Sequence, residues 1–328
     1  MKILVVITGG TIGSSVKGDY TSLDIAKNHA LIKHYESNHC GDVTFETVSP
    51  YRILSENLTA KELNLLKDCI AQHKDKGYDG IIVTHGTDTL QYSSAALSYC
   101  FPVLELPVVL VSANFPLDNP LSNGHQNFEA AVAFIKAKLS NGVFASYKNR
   151  HSDKTDIHLG TRMYTHLENL DEVYSIGMEP YAYYKDGRTE LNEKFIKSTS
   201  AQENYTYRFE NKTGVLTLYS MPGDNFAYDL SGVKSVLIRP YHSGTINTSD
   251  GCLKAFCERA KERNIPVFIL RADVCAEYES TSAFEQMGII PLPLSTFVSQ
   301  YMKMWIANSN NLDVCGFMQT EIAQEFIG

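Results

Sequence analysis

The chain has little that would fix its structure covalently or through a metal. Its 328 residues include seven cysteines, Cys40, Cys69, Cys100, Cys252, Cys257, Cys275 and Cys315, which are scattered, odd in number and without a CxxC pair. That excludes a regular disulfide framework and gives no zinc signature, so a reducing, cytoplasmic setting is expected. No apolar run approaches the roughly 18 residues of a membrane-spanning helix, and the first residues enter a strand pattern with no cleavable apolar region before it. A surplus of basic charge is also missing: 29 Lys and Arg stand against 37 Asp and Glu, a formal net charge of −8. No nucleic acid and no membrane is therefore the expected partner. His29, His34 and His39 recur at a spacing that fits no helical face, so no metal is expected there.

What is present is a core-forming composition, 44% hydrophobic and 20% charged, enough for one large domain or two of ordinary size. Ile3 to Thr8 (ILVVIT), Gly80 to His85 (GIIVTH), Pro107 to Ala113 (PVVLVSA) and Gly142 to Tyr147 (GVFASY) are nearly continuous apolar runs, the pattern of strands buried on both faces. Helices are expected between them. One has Leu58, Leu63, Leu66 and Ile70 at helical spacing, Thr59 as N-cap, Glu62 completing a capping box and Gly77 as terminator; another is expected after Asn127. This alternation predicts an α/β fold with a doubly wound parallel sheet. From about Ser175 to Asn211 the periodicity dissolves into tyrosine-rich polar sequence, and strand–helix alternation then resumes. The expected organisation is a larger N-terminal catalytic domain over 1–175, a linker over 176–211 and a smaller α/β domain over 212–328.

Two strand-end segments carry candidate chemistry. ITGGTIGSS (Ile7 to Ser15) has glycines behind a first strand, as dinucleotide-binding turns do, but Thr8 occupies the first glycine position of that fingerprint. It offers instead a hydroxyl, Thr11, beyond the carboxyl edge of a buried strand; the plainer alternative is a tight turn whose threonine bonds the backbone. The second segment, VTHGTDTLQYSSAAL, places Thr87 beside Asp88 at another strand end, where the plainer alternative makes Asp88 an N-cap. Two threonines and a carboxylate meeting at one sheet edge form a constellation for nucleophilic chemistry.

TGGTIG followed by HGTDT resembles the bacterial-type L-asparaginases, closest to the cytoplasmic type I enzymes. The likeness continues through LSNGHQNFEAAV (Leu121 to Val132) and, more weakly, through SVLIRPYHSGTINT. It implies a flavodoxin-like larger domain, a smaller C-terminal α/β domain and a homodimer or homotetramer. It also implies an amino-acid amide as small-molecule substrate and no cofactor. By this resemblance Thr11 is the nucleophile that forms an acyl-enzyme from L-asparagine and releases ammonia, and Tyr20 belongs to a closing loop that activates it. Thr87 is the second threonine and Asp88 holds the substrate α-ammonium, with backbone amides near Thr11 and at Gly86–Thr87 as oxyanion donors. Ser55 grips the α-carboxylate.

The chain departs from the family in three places. Glu56 follows Ser55 where relatives carry glutamine or serine; it is expected either to attract the substrate ammonium or to cap the helix that follows. Thr165 stands where the family has a lysine paired with the second threonine and the aspartate, and Lys154 is a substitute from another direction. Glu277 and Glu279 lie where a neighbouring subunit's acid would be sought. The main expectation is thus an L-asparaginase, and the alternative an asparaginase-fold protein with reduced or no turnover that binds an amino acid or another carboxamide. A nucleotide-binding oxidoreductase is disfavoured by the glycine register. Ammonia supply to tRNA-dependent amidation, for which the archaeal amidotransferase uses an asparaginase-like component, is disfavoured because the chain opens directly on its first strand.

Overall fold

The computed structural model describes residues 1–10, 12, 14–17, 20–23, 25–39, 41–167, 169–198, 200–201, 203–272 and 278–327, with backbone alone over the described parts of 14–28. The large sheet begins with β1 (Lys2–Ile7). A two-stranded ribbon follows, β2 (Ser14–Lys17) with β3 (Tyr20–Leu23), then α1 (Ile25–Asn38), β4 (Thr44–Val48) and α2 (Ala60–His73). The chain continues through β5 (Gly80–Thr84), α3 (Leu90–Cys100), β6 (Pro107–Val111), α4 (Gly124–Ala137), β7 (Gly142–Tyr147), β8 (Thr155–Leu159), β9 (Ala182–Lys185) and β10 (Arg188–Leu191). The strands lie in the order β10-β9-β8-β7-β6-β5-β1-β4. β4, β1, β5, β6 and β7 are parallel, whereas β7 to β10 pair antiparallel.

The apolar runs are continuous because both faces are covered. Alternate residues point to opposite sides of a strand, and Leu4, Val6, Ile81, Val83, Val108 and Leu110 fall on the side packed by Leu63, Leu66 and Ile70 of α2 and by α3. Ile3, Val5, Ile7, Ile82, Val109 and Val111 meet Leu31 and Tyr35 of α1 and Phe128, Val132 and Ile135 of α4. The capping box of α2 forms as expected: Thr59 accepts from the Lys61 amide, and Glu62 accepts from the Thr59 amide at 3.2 Å. The chain leaves the carboxyl end of β1 for α1 on one face and that of β5 for α3 on the other. A crevice therefore opens between the carboxyl ends of β1 and β5, the switch point at which open α/β sheets bind ligands.

The smaller domain is a parallel sheet in the order β11 (Val215–Tyr219), β12 (Ser235–Arg239), β13 (Val267–Ile269) and β14 (Ile289–Pro291). Helices α5 (Cys252–Glu262), α6 (Glu279–Ser282) and α7 (Phe284–Met287) accompany it, and its core is built on Leu218, Val236, Ile238, Leu253, Phe256 and Phe284. α8 (Phe297–Ser309) joins the two domains: Met302 and Ile306 enter the large core, Met304 the small one. α9 (Val314–Gln319) and the tail follow, held by a fully buried ion pair between Lys303 and Glu325.

Two details differ from the sequence-based expectation. The stretch 176–211, read as a linker, contains β9 and β10, which extend the large sheet, so that sheet is mixed rather than wholly parallel. α4 begins at Gly124, four residues ahead of the start expected after Asn127. Its close approach favours glycine there, since a Cβ at 124 would lie 2.6 Å from the Leu117 side chain. Among the described residues no helix is long and apolar enough to cross a membrane.

Candidate active site at the switch point of the large sheet

Three strand-end segments converge on the crevice, and their closeness dictates glycine. Thr8 ties β1 to β5 by donating from its hydroxyl to the Thr84 carbonyl at 2.6 Å. Gly9 and Gly10 then turn with φ of +110° and +79°, while the Gly10 amide donates to the Ile53 carbonyl and the Ile53 amide to the Thr8 carbonyl, each at 3.0 Å. A Cβ on Gly10 would lie 2.3 Å from the Gly86 nitrogen, and one on Gly86 would lie 2.3 Å from the Ser55 hydroxyl. Neither position accepts a side chain without moving its neighbours.

Above this floor the Ser55 hydroxyl, itself buried, donates to the Asp88 carboxylate at 3.4 Å, and the Thr89 hydroxyl donates to the Ser55 carbonyl at 2.9 Å. Gln91 donates to the Asp88 carbonyl at 3.0 Å. Thr87 is half-buried and Asp88 exposed. The helix cap is Thr89, so Asp88 is not the N-cap and its carboxylate faces the crevice mouth beside Ser55. Glu56 is exposed in the single-turn helix Ser55–Asn57. Thr11 lies outside the described residues, although its neighbours Gly10 and Ile12 are buried. Tyr20 is described by its backbone alone, as the first residue of β3.

His85 fixes the β5 loop from below. Its Nδ1 lies 2.8 Å from the Gly86 carbonyl, which requires a hydrogen on that nitrogen, so Nε2 accepts from the Ser93 hydroxyl at 2.9 Å. Complete burial pushes its pKa down and keeps the ring neutral. This histidine was visible in the sequence as part of a motif, but its structural task was not.

The far wall is built by the ends of β6 and β7. Asn114 and Asn123 exchange amide-to-carbonyl hydrogen bonds at 2.9 Å each, and the Asn123 side chain donates to the Lys148 carbonyl. Asn149 at the end of β7 grips Val173 through both donor and acceptor, bringing up the turn that contains Asp171, whose carboxylate accepts from the Tyr147 hydroxyl. His166 packs edge-on to Tyr147, ring centroids 5.4 Å apart, and both its ring nitrogens are buried without a hydrogen-bond partner. Burial pushes its pKa down, while Asp171 and Asp88 pull it up. Nothing in the sequence pointed to this residue, because only the pairing of distant segments places it here.

Lys154, considered as a substitute for the missing lysine, and the acids sought for the substrate ammonium lie in different places. Lys154 extends over the Tyr183 ring on β9, its nitrogen 3.2 Å from the ring centroid. Arg162 turns away toward the C-terminal tail, donating to the carbonyls of Ile196, Gln324 and Phe326 and to the Ser198 hydroxyl. Glu279 opens α6 in the smaller domain, and Glu277 lies outside the described residues. Among the described residues no group of three or more His, Cys, Asp or Glu is arranged to hold a metal.

Fold and crevice together define an open α/β protein with a polar crevice at its switch point and a smaller α/β domain. The family model described as "Asparaginase, N-terminal" matches residues 2–197, and the chain belongs to the asparaginase family. Among curated relatives it is similar to a glutamyl-tRNA(Gln) amidotransferase subunit of Sulfolobus acidocaldarius, 25% identical over 99% of this chain and 75% of that one. The protein of the same name from Methanobrevibacter smithii is 26% identical over 99% of this chain and 76% of its own length. Among solved structures, the thermostable L-asparaginase of Thermococcus kodakarensis superposes with a TM-score of 0.81 at 24% identity, over the whole of both chains. L-asparaginase I of Vibrio cholerae gives 0.83 at 22%, covering 100% of this chain and 99% of that one.

Proposed function

We propose that the protein binds an amino acid or its carboxamide in the crevice between β1 and β5, with hydrolytic turnover altered from that of an L-asparaginase. The observation that carries this reading is the Ser55–Asp88 pair above Gly86. A hydroxyl and a carboxylate side by side suit a zwitterion, the hydroxyl donating to an α-carboxylate and Asp88 accepting from an α-ammonium. Gly86 and Thr87 amides stand nearby as donors to a polarised carbonyl. Glu56, exposed at the rim, adds negative charge on the ammonium side. Thr165, where the family resemblance implies a lysine, supports altered turnover, because loss of a tuned acid–base group commonly costs about two to four orders of magnitude.

The second reading is hydrolysis of L-asparagine to L-aspartate and ammonia through an acyl-enzyme on Thr11, assisted by Tyr20 and Thr87. The tight Gly10–Gly86 packing, at the residue directly before Thr11 in the chain, favours it. The relatives' name adds the reading of ammonia supply within a larger assembly. The expectation against it rested on where the chain begins, and relatives matched over 99% of this chain now support it. A cytoplasmic homodimer or homotetramer accords with all three, and sedimentation measures the assembly directly.

The test is ammonia release from L-asparagine, L-glutamine and D-asparagine by the wild-type protein and Thr11→Ala, with melting temperature followed alongside. The expected result is ligand-raised melting in both proteins, with turnover of free L-asparagine well below the roughly 10 per second typical of enzymes. Fast turnover abolished by Thr11→Ala would establish the second reading instead. No change in melting with any of these amino acids would overturn the binding site.

A further inference from the structure

The segment Asp88-Thr89-Leu90-Gln91 has the residue pattern of a capping box, an acceptor side chain with a glutamine three residues on. α2 carries such a box in full, between Thr59 and Glu62. At α3 the residues are present and the box is not made. The Asp88 carboxylate accepts from the Ser55 hydroxyl at 3.4 Å instead. Thr89, which holds the cap position, makes no side-chain cap bond and spends its hydroxyl on the Ser55 carbonyl at 2.9 Å.

Gln91 is reversed relative to a box. There its side-chain oxygen would accept from the backbone amide of the capping residue. Here its side-chain amide donates to the Asp88 carbonyl at 3.0 Å, and Oε1 is buried without a partner among the described residues. The whole residue is 2% exposed. A missing cap and an unpaired buried oxygen both lower stability. Both fall within four residues of the crevice carboxylate, and local rules are broken in this way where a site is favoured over the fold.

The reversed contact accounts for the direction in which Asp88 points. A capping residue's own carbonyl accepts the first intrahelical bond. In α3 the Ser93 amide donates to the Thr89 carbonyl at 3.1 Å, while the Asp88 carbonyl is held by the Gln91 side chain. Asp88 is thereby kept one residue short of the cap, with its carboxylate on Ser55.

We propose that Gln91 is the positioning residue of the crevice, holding the Asp88 backbone so that the carboxylate serves a bound α-ammonium rather than the amides of α3. The role rests on the amino-acid site proposed above, and Gln91 acts through Asp88 rather than on the ligand. Without the Gln91 amide, Asp88 is free to turn onto the start of α3, and that cap competes with the ligand for one carboxylate. Affinity and stability are then opposed, which a residue that only supports the fold would not produce.

Two measurements on the full chain test the role, one of them independent of any ligand. The first is calorimetric titration with L-aspartate and L-asparagine. Gln91→Met keeps the length of the side chain and loses the donor, and it should weaken binding about tenfold while the urea midpoint holds or rises. Gln91→Leu is carried alongside, so that the comparison does not depend on one variant folding. The second places Asp88→Ala in the wild type and in Gln91→Met and follows urea unfolding. In the wild type, where Asp88 caps nothing, the ratio of folded to unfolded protein should change by less than about twofold; in Gln91→Met it should fall about fivefold, the ordinary loss of a helix cap.

Equal effects of Asp88→Ala in the two backgrounds, or affinity kept in Gln91→Met while the wild type binds, would overturn the role of Gln91 and leave the amino-acid site standing. Stability lost together with affinity in both Gln91 variants would make the residue an ordinary support of the fold and overturn the role as well. No binding of either amino acid by the folded wild type would overturn the site, and the positioning role with it.

Discussion

The two walls of the crevice are built on opposite principles. The wall formed by Gly9–Gly10, Ile53–Ser55 and Gly86–Asp88 is closed: backbone meets backbone at van der Waals limits, His85 satisfies both of its nitrogens, and Ser55 is bonded at its hydroxyl and its carbonyl. The wall formed by Tyr147, His166 and Asp171 is just as buried at its ring nitrogens but leaves them unpaired. Rigid, satisfied groups suit recognition of a fixed ligand shape, whereas unpaired buried nitrogens carry an unmet desolvation cost.

The largest loss is expected from the closed wall, at Gly10. Gly10→Ala adds an atom 2.3 Å from the Gly86 nitrogen at φ +79°, combining overpacking with backbone strain, and should cost about 3 to 4 kcal/mol of stability in urea titrations together with all ligand-raised melting. Arg162→Met strikes behind the other wall. It removes the guanidinium, whose pKa burial pushes down to about 10, from the carbonyls of Ile196, Gln324 and Phe326. The expected loss is about 2 to 3 kcal/mol in the same assay, with ligand binding kept when the protein is assayed below its melting temperature. Ser55→Ala separates recognition from stability within the closed wall itself: calorimetry should show binding weakened about tenfold, or about 1.4 kcal/mol, with stability changed by less than about 1 kcal/mol.

The mildest effect at neutral pH concerns the buried histidines. Burial lowers the folded-state pKa of His85, and that of His158 to about 3, so the unfolded chain binds more protons below the ordinary value near 6.5. Stability should be full above that pH and fall as pH drops through the window toward 3. Asp156, pushed by burial up to about 6, works the other way between its ordinary value and 6, since its protonated form favours the folded state in acid. The urea midpoint should therefore decline from pH 7 to pH 5, and His158→Gln should flatten that decline.

Much of the closed wall was legible in the sequence, because it is local. Apolar runs flanked by glycine and threonine marked β1 and β5, and the Thr59–Glu62 box marked α2. The sequence left Asp88 open as a site group or an N-cap, and the cap is Thr89. The β9–β10 hairpin was also signalled, by Asp186-Gly187 between alternating residues, and both turn residues have positive φ as such a hairpin requires; the polar, tyrosine-rich composition hid it. His166 was not legible at all. Its setting depends on Asn149 reaching Val173 and on Arg162 holding the tail, contacts that span 24 to 164 residues of chain and leave no local pattern.

Whether the crevice is an amino-acid site is tested most directly by calorimetric titration of the wild-type protein with L-asparagine and L-aspartate, repeated on Ser55→Ala. Saturable binding of at least one of them is expected, weakened about tenfold by the substitution. Binding left untouched by Ser55→Ala, or no binding of either amino acid by the folded wild-type protein, would contradict the assignment.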